Sequence, residues 1–368
     1  MKLKLIKLIA IFGSIIFLTA CGSAPSANWP ATTTDGQNIY LSNGGHVYSV
    51  NIASGVENTV ASAEGNVPAR FPQKADAALS FFAPVALTAD GQMLVGNAAT
   101  KKHEYFSVDP KTGNINWTFS DAKNSWMAGS LIIDQTIFAP SGDGNLYLLD
   151  LKTGKTAKPA LKLSEHSLWA SPVNDGELVF IVTMEHEVVA VDKAGEKVWA
   201  QELDTSILAS PLVLDGTLYV ATLSGNVFAL DTATGEQKWN TALQGNIWGT
   251  PATDGSSLFV GTVTGKTGKF YSLNIADGTI QWQKDESGSI IAGAVVSNGM
   301  VYFGTELGKL QALDLTGAPK WQAVIENAKF YTSPLISNDS VLMAPMNADF
   351  VLVAYDLNGV QRWTFDGK

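Results

Sequence analysis

The sequence is short of the residues on which many catalytic and binding sites depend. Its 368 residues include one cysteine, four histidines and two arginines, Arg70 and Arg362. A lone cysteine excludes internal disulfides and thiolate metal sites. Outside the first 20 residues, the chain has 21 basic and 34 acidic residues, a net charge of −13. Since nucleic-acid binding requires a basic surface, we expect no nucleic-acid partner.

Sites for metals and for nucleophilic catalysis are also missing from the sequence. The four histidines have none of the short spacings that metal ligands use, so we predict no metal site; they are His46, His103, His166 and His186. No strand-to-helix serine elbow of the hydrolase type is present. The sequence therefore predicts neither catalytic residues nor a bound metal.

Helical periodicity is absent beyond the N-terminal segment. Charged residues make up only 16% of the chain, whereas it contains 34 glycines and 10 tryptophans. Short β-branched runs alternate with turn residues such as Asp254-Gly255. This composition indicates an all-β protein with many tight turns.

The first 20 residues have the features of an export signal. Lys2, Lys4 and Lys7 precede an apolar run over 8–17 that is short for a membrane span. The alternative is a short anchor helix that is retained. The motif "LTAC" over 18–21 resembles the lipobox of bacterial lipoproteins, which implies cleavage before Cys21 and acylation of its sulfur.

A segment of about forty residues is repeated eight times along the chain. The string "VFALDTATGEQKW" over 227–239 has counterparts whose Asp or Asn positions are separated by 58, 41, 42, 39, 43, 40 and 42 residues. These positions are Asn51, Asp109, Asp150, Asp192, Asp231, Asn274, Asp314 and Asp356. The long first step indicates an insertion at about 61–80. A regular period of this length predicts a repeat architecture rather than several unrelated domains.

Each repeat contains four short apolar runs separated by turn signals. We expect the Asp or Asn to accept backbone N–H groups of the turn, the Gly to supply a positive φ, and the Trp to bury against the next unit. The residues predicted for these structural roles are Asp109, Gly113, Trp117, Asp192, Gly195, Trp199, Asp231, Gly235, Trp239, Asn274, Gly278, Trp282, Asp314, Gly317, Trp321, Asp356, Gly359 and Trp363.

Four-stranded units can close radially or stack linearly. Four antiparallel strands per repeat match a propeller blade, whereas solenoid repeats carry one strand or a helix pair. We therefore predict an eight-bladed β-propeller of four-stranded antiparallel blades. We expect a signal peptide over 1–20, a lipid-anchored tether over 21–28 and the propeller over 29–368.

The pattern A-L-D-x-x-T-G-x-x-x-W over 229–239 resembles the tryptophan-docking motif of pyrroloquinoline quinone (PQQ)-like repeats. Two groups share this motif: quinoprotein alcohol dehydrogenases and non-catalytic propeller lipoproteins of the BamB family, which assemble outer-membrane β-barrels. The dehydrogenases are longer and commonly place PQQ against a vicinal disulfide, which this chain cannot form. The resemblance therefore implies a non-enzymatic protein without a cofactor.

Aromatic residues recur where each repeat leads into its first strand. The first strand of a propeller blade is innermost, so we expect these residues to surround the mouth of the central channel. The predicted rim consists of Phe81, Trp126, Trp169, Trp248 and Tyr331. Such a rim could stack on a sugar, a peptide side chain or a quinone-like ring. The alternative is that these residues pack between blades.

Together these features favour a monomeric, lipid-anchored envelope protein that binds protein partners, with the barrel-assembly machinery as the candidate partner. Gly22 after the cysteine, in place of Asp, favours the periplasmic face of the outer membrane in a Gram-negative host. In another host, the extracellular face of the cell membrane is expected. The alternatives are a propeller that binds extracellular glycans or peptides, and a degenerate PQQ-dependent dehydrogenase.

Overall fold

The computed structural model describes residues 29–62, 65–156 and 158–368, and these form strands and turns without a helix. Eight four-stranded sheets follow one another along the chain, and a separate two-stranded sheet is inserted in the first. Within these ranges there is accordingly no helix with the length and apolar character that crossing a bilayer would require. The prediction of an eight-bladed, all-β propeller is confirmed.

The first four blades run from residue 31 to residue 202. Blade 1 contains β1 (Ala31–Thr34), β2 (Asn38–Asn43), β3 (His46–Asn51) and β6 (Arg70–Phe71), with β4 (Thr59–Ser62) and β5 (Gly65–Pro68) as the inserted hairpin. Blade 2 contains β7 (Ala86–Leu87), β8 (Met93–Gly96), β9 (Tyr105–Val108) and β10 (Ile115–Phe119). Blade 3 contains β11 (Leu131–Ile133), β12 (Thr136–Pro140), β13 (Asn145–Asp150) and β14 (Leu161–Lys162). Blade 4 contains β15 (Val173–Asn174), β16 (Leu178–Val182), β17 (Glu187–Asp192) and β18 (Lys197–Glu202).

The last four blades run from residue 212 to residue 365. Blade 5 contains β19 (Leu212–Leu214), β20 (Thr217–Ala221), β21 (Asn226–Asp231) and β22 (Gln237–Ala242). Blade 6 contains β23 (Ala252–Thr253), β24 (Ser257–Gly261), β25 (Gly268–Asn274) and β26 (Ile280–Glu286). Blade 7 contains β27 (Val295–Ser297), β28 (Met300–Gly304), β29 (Lys309–Asp314) and β30 (Pro319–Val324). Blade 8 contains β31 (Leu335–Ser337), β32 (Ser340–Met343), β33 (Leu352–Asp356) and β34 (Gln361–Phe365).

The two middle strands of each blade are buried on both faces. Val227 to Leu230 in β21 are at most 5% exposed, whereas the outermost strand β22 alternates between exposed and half-buried residues. Apolar side chains of adjacent blades interdigitate between the sheets, as Phe180 and Leu218 do in one such cluster. This is why the middle strands are continuous apolar runs while the outer strands alternate with a period of two.

The ring closes without a strand shared between the termini in the described part of the chain. Blade 1 takes all its strands from the N-terminal side and blade 8 all its strands from the C-terminal side. Apolar side chains from both blades pack into one cluster that includes Ile39, Leu41, Leu342 and Phe365. Hydrogen bonds also join blade 1 to the segment that follows blade 8, among them one from Arg70 Nη2 to the main-chain oxygen of Lys368 at 3.1 Å.

Candidate functional site

The turn before the outer strand of each blade is organised by the side chain of its Asp or Asn. In blade 5, Asp231 Oδ1 accepts the N–H groups of Ala233 and Thr234 at 3.0 and 3.1 Å. Hydrogen bonds from the Lys238 side chain and from the turn backbone lower the pKa of Asp231. The Asn residues use the same acceptor, as Asn274 Oδ1 takes the N–H of Ala276 at 2.9 Å. An Asx-type turn thus fixes the direction in which the outer strand leaves.

Six indoles on the outer strands each donate a hydrogen bond to the next blade. In every case the acceptor is the backbone carbonyl of the residue that follows the Asp or Asn of the next repeat. The donor–acceptor pairs, at 2.8–3.2 Å, are Trp117–Leu151, Trp199–Thr232, Trp239–Ile275, Trp282–Leu315, Trp321–Leu357 and Trp363–Ile52. We call the junction between two neighbouring blades a seam, and the six seams with this contact the docking seams.

The turn glycine lies flat against the indole of the preceding blade. Gly235 has a φ of +75°, and a Cβ there would lie 2.7 Å from Cε3 of Trp199. A side chain at this position would therefore be strained by its backbone and would also collide with the docked ring. The sequence indicated only the positive φ, because nothing in a single repeat reveals which neighbour covers its turn.

Two seams of the described ring have no tryptophan. Between blades 1 and 2, Gly113 faces Nε2 of Gln73, where a Cβ would lie 3.3 Å away. Between blades 3 and 4, Gly195 faces Leu148, and Lys158 Nζ donates to the carbonyl of Ala194 at 2.9 Å. These seams follow the repeats of Asn51 and Asp150, which have no Trp at the corresponding position of the sequence.

A ring of large apolar side chains surrounds one mouth of the central channel. Each blade supplies one member from the chain that leads into its first strand, and together they enclose a cavity of about 370 Å³. The eight residues are Trp29, Phe82, Met127, Trp169, Leu208, Trp248, Ile291 and Tyr331. We call them the mouth ring.

The predicted rim was wrong at two of its five positions. Phe81 and Trp126 are 0% exposed and belong to the packing between blades. Trp126 donates its indole N–H to the carbonyl of His103 at 3.0 Å. The residues that follow them, Phe82 and Met127, lie at the mouth instead. Neighbouring residues in extended chain point to opposite sides, so an error of one residue exchanges the core for the channel.

Aromatic contacts join members of the ring across the mouth. Trp29 lies edge-on to Trp169, with ring centroids 6.1 Å apart, and to Tyr331 at 5.6 Å. The hydroxyl of Tyr331 donates to Oε1 of Glu306, and burial together with this carboxylate raises the pKa of Tyr331 to about 12. Lys329 Nζ lies 5.9 Å from the centre of the aromatic ring of Tyr331.

The sequence of the chain matches the model of a known protein family. The family model described as "Outer membrane protein assembly factor BamB" matches residues 22–183, 158–223, 185–326 and 287–368. The chain belongs to the BamB family. The resemblance expected from the Asp, Gly and Trp spacing is therefore confirmed.

Individual relatives are similar over part of the chain. The outer membrane protein assembly factor BamB of Moranella endobia is 30% identical over 206 residues, which is 51% of each chain. A tetrathionate hydrolase of Acidithiobacillus ferrooxidans is 23% identical over 185 residues, covering 48% of this chain and 32% of the enzyme. The chain thus spans about half the length of the curated BamB relative it matches.

A solved structure shares the fold over most of the chain. BamB from Moraxella catarrhalis superposes with a TM-score of 0.62 at 19% identity, covering 84% of this chain and 96% of that structure. This match establishes the propeller architecture.

Two further predictions concern sites away from the seams. Cys21, the predicted lipidation site, lies outside the described residues. Among residues 29–62, 65–156 and 158–368, no group of three or more His, Cys, Asp and Glu side chains could hold a metal ion.

Proposed function

We propose that this BamB-family protein is a non-catalytic lipoprotein of the cell envelope that binds protein partners during assembly of outer-membrane β-barrel proteins. The observation that carries the proposal is the match to the BamB family model from residue 22 to residue 368. The name of the relative from Moranella endobia describes the same role.

The lipobox-like "LTAC" over 18–21 supports anchoring to a membrane. In this proposal the signal ends at residue 20, Cys21 carries the lipid, and residues 21–28 tether the propeller to the periplasmic face of the outer membrane. A monomeric ring attached in this way would present its loops and channel mouths to neighbouring proteins.

A second candidate function is capture of a glycan or peptide at the mouth ring. The exposure of Trp169 and Trp248, 37% each, favours it, because exposed indoles stack readily on sugars and side chains. A degenerate PQQ-dependent dehydrogenase is a weaker alternative, tested by dye reduction after addition of PQQ.

Affinity purification from detergent-solubilised membranes of the native host tests the assembly role. We expect barrel-assembly subunits to co-purify with the wild-type protein. The Cys21→Ser variant is the matched control, and it should lack the lipid while its fold is unchanged. Failure to recover any barrel-assembly subunit with a membrane-bound wild-type protein would contradict the proposal.

A further inference from the structure

A groove lies at the docking seam between blades 2 and 3, on the face opposite the mouth ring. The lead-in and the turn after the first strand lie at opposite ends of that strand, so this turn belongs to the far face. The groove encloses about 570 Å³, within the range of ligand pockets, which is about 300–1,000 Å³. The cavities beside Trp239 and Trp321, at two other docking seams, enclose about 160 and 360 Å³. We call the largest one the seam groove, and its lining includes Gln92, Asn116, Trp117, Ile132, Asp134 and Gln135.

Two features of blade 2 open the seam groove. The turn between its first and second strands has five residues, 88–92, whereas the same turn in blade 5 has two, 215–216. The residue before the docking Trp, which occupies a β-bulge, is Asn116 in blade 2 and Lys238 in blade 5. The longer Lys238 side chain reaches across its own blade to the carbonyl of Gly216 at 2.9 Å. The shorter Asn side chain leaves the corresponding space in blade 2 open.

Two side-chain amides on the blade 2 wall present a free donor beside a free acceptor. Asn116 Nδ2 donates to Oε1 of Gln92 and, at 3.2 Å, to the hydroxyl of Ser107. Within the described residues, Gln92 Nε2 and Asn116 Oδ1 have no protein partner. If both amides are turned over, the Ser107 hydroxyl donates instead, and the free groups are Asn116 Nδ2 and Gln92 Oε1. Either orientation therefore leaves one N–H donor and one carbonyl acceptor next to each other.

The blade 3 wall adds polar groups that the protein leaves unpaired. In the part of the chain that the structure describes, the Asp134 carboxylate accepts no hydrogen bond. The Gln135 side chain bonds only through Nε2, to the carbonyl of Asp134 at 3.4 Å. Two carboxylates, those of Asp90 and Asp134, line the groove together with one ammonium group, that of Lys152. The lining therefore favours a neutral ligand with many hydrogen-bonding groups over an anion.

Apolar side chains complete the lining of the seam groove. Trp117, Ile132 and Leu151 are half-buried and reach the same cavity. The indole N–H of Trp117 already donates to the carbonyl of Leu151 at 3.1 Å, so the indole contributes only apolar surface to the groove. A ligand that matches this lining has an apolar surface bordered by groups that both donate and accept hydrogen bonds.

We propose that the seam groove binds a neutral oligosaccharide, one unit of which presents two neighbouring hydroxyls to Asn116 and Gln92. Each hydroxyl of a sugar donates and accepts, so a neighbouring pair matches an adjacent amide donor and amide acceptor. The C–H groups of the sugar ring would pack on Trp117 and Ile132, and further hydroxyls would bond to Asp134. This site goes beyond the proposed function and does not depend on it.

The lining favours a sugar over a peptide or an anionic glycan. A peptide in extended conformation binds mainly through its main chain, to the main chain of a strand edge. The free groups of the seam groove belong instead to side chains of two different blades, as those of Gln92 and Gln135 do. An anionic glycan would place its carboxylates near Asp90 and Asp134, where like charges repel.

Fluorine NMR of the full-length protein labelled with 5-fluorotryptophan tests this inference and locates the ligand. The probes are cellotetraose, maltotetraose and mannotetraose, and the comparison ligands are tetragalacturonate and tetra-alanine. A Trp117→Phe substitution assigns the resonance of Trp117. We expect at least one probe to shift this resonance saturably while the resonances of Trp29, Trp169 and Trp248 at the mouth ring stay in place. Both comparison ligands should bind at least tenfold more weakly.

Two variants of the blade 2 wall test the role of the amides. Gln92→Glu keeps an acceptor for Asn116 Nδ2 but removes the N–H donor, and Asn116→Lys introduces the residue that blade 5 carries at this bulge. Each should weaken binding of the tetrasaccharide at least tenfold and leave the circular dichroism spectrum unchanged.

The matched control for these variants is Gln281→Glu in blade 6. It makes the same change at the equivalent bulge, where Gln281 Oε1 accepts the hydroxyls of Ser257 and Ser272 at 2.9 and 2.8 Å. A carboxylate can accept both of these hydrogen bonds. This control should therefore bind the tetrasaccharide as the wild type does.

Four results would overturn the inference. They are no shift of the Trp117 resonance with any of the three probes, equal binding of tetra-alanine, unchanged binding in both blade 2 variants, and shifts confined to Trp29, Trp169 and Trp248. The last result would place the sugar at the mouth ring instead. Failure of the proposed function is distinguishable, because it is measured by co-purification of barrel-assembly subunits and does not involve a sugar.

Discussion

The indole N–H of Trp363 in the last blade donates a hydrogen bond of 2.9 Å to the carbonyl of Ile52 in the first blade. The same hydrogen bond from an indole to a carbonyl joins five other pairs of blades. The first and last blades are therefore held together by the same type of contact as other neighbouring blades. In the described part of the chain, closure therefore depends on side-chain packing and on hydrogen bonds such as this one rather than on continuity of a sheet. Such a junction is the one place where the chain itself does not connect neighbouring blades.

Replacing Trp363 with Phe should loosen this junction. The variant loses one hydrogen bond, worth about 1 kcal/mol, while most of the apolar packing remains. Hydrogen exchange followed by mass spectrometry should show faster exchange in β2, β3, β33 and β34. Trp239→Phe is the matched control, because it removes the bond to Ile275 at a seam whose two blades are also joined by the chain. Equal local protection in the two variants would contradict a special role for the closing seam.

Replacing Gly235 with Ala should destabilise the protein more than the same change at Gly216. Both glycines have a positive φ, +75° and +69°, so both variants lose about 1–2 kcal/mol to backbone strain. Only at Gly235 would the new Cβ lie 2.7 Å from Trp199; at Gly216 the nearest atom is 4.0 Å away. We expect the collision to add about 1–3 kcal/mol. Urea denaturation measures the difference, and equal losses would show that the indole moves aside freely.

Replacing Asp231 with Asn should make stability less sensitive to acid. The folded-state pKa of Asp231 is below 3.8 because of its hydrogen bonds with Lys238 and the turn backbone. A carboxylate with a lowered pKa stabilises the fold above its unfolded pKa, and this contribution is lost as the pH falls through the folded value. The Asn variant keeps the turn acceptor, as Asn274 does, but does not titrate.

Urea midpoints at about pH 6 and about pH 3 test this expectation. The wild type should lose more stability on acidification than Asp231→Asn does. Asp231→Ala also removes the turn acceptor and should be less stable than the Asn variant at both pH values. An equal acid loss in the wild type and the Asn variant would mean that this carboxylate does not contribute to the pH dependence.

The repeat made much of this fold predictable from sequence. The Asp, Gly and Trp of 227–239 recur at a period that fixes the number of blades, and the Asx turn at Asp231 follows from residue chemistry alone. The carbonyl that each Trp meets, and the contact between Gly235 and Trp199, involve residues of another repeat. Such contacts depend on how blades are arranged around the axis, which a local pattern does not specify.

The members of the mouth ring also could not be predicted from the sequence to within one residue. The lead-ins carry pairs of large residues, such as Phe81 and Phe82, and the sequence does not show which member of a pair faces the channel. The small residues that follow, such as Ala83 and Gly249, are common to the lead-ins and do not distinguish the two members. Only the packing between blades decides that Phe81 is buried and that Phe82 lines the cavity.

Adjacent substitutions at Phe81 and Phe82 test this assignment with the same residue type. Phe81→Ala should lower the free energy of unfolding by about 3–5 kcal/mol, because it opens a cavity in a cluster that includes Phe71 and Val95. Phe82→Ala removes a half-buried side chain from an open mouth, where solvent fills the space, and should cost about 1 kcal/mol or less. Urea denaturation of both variants gives the comparison. A larger loss at Phe82 would reverse the assignment, and the mouth ring would then have to be redrawn one residue earlier in that blade.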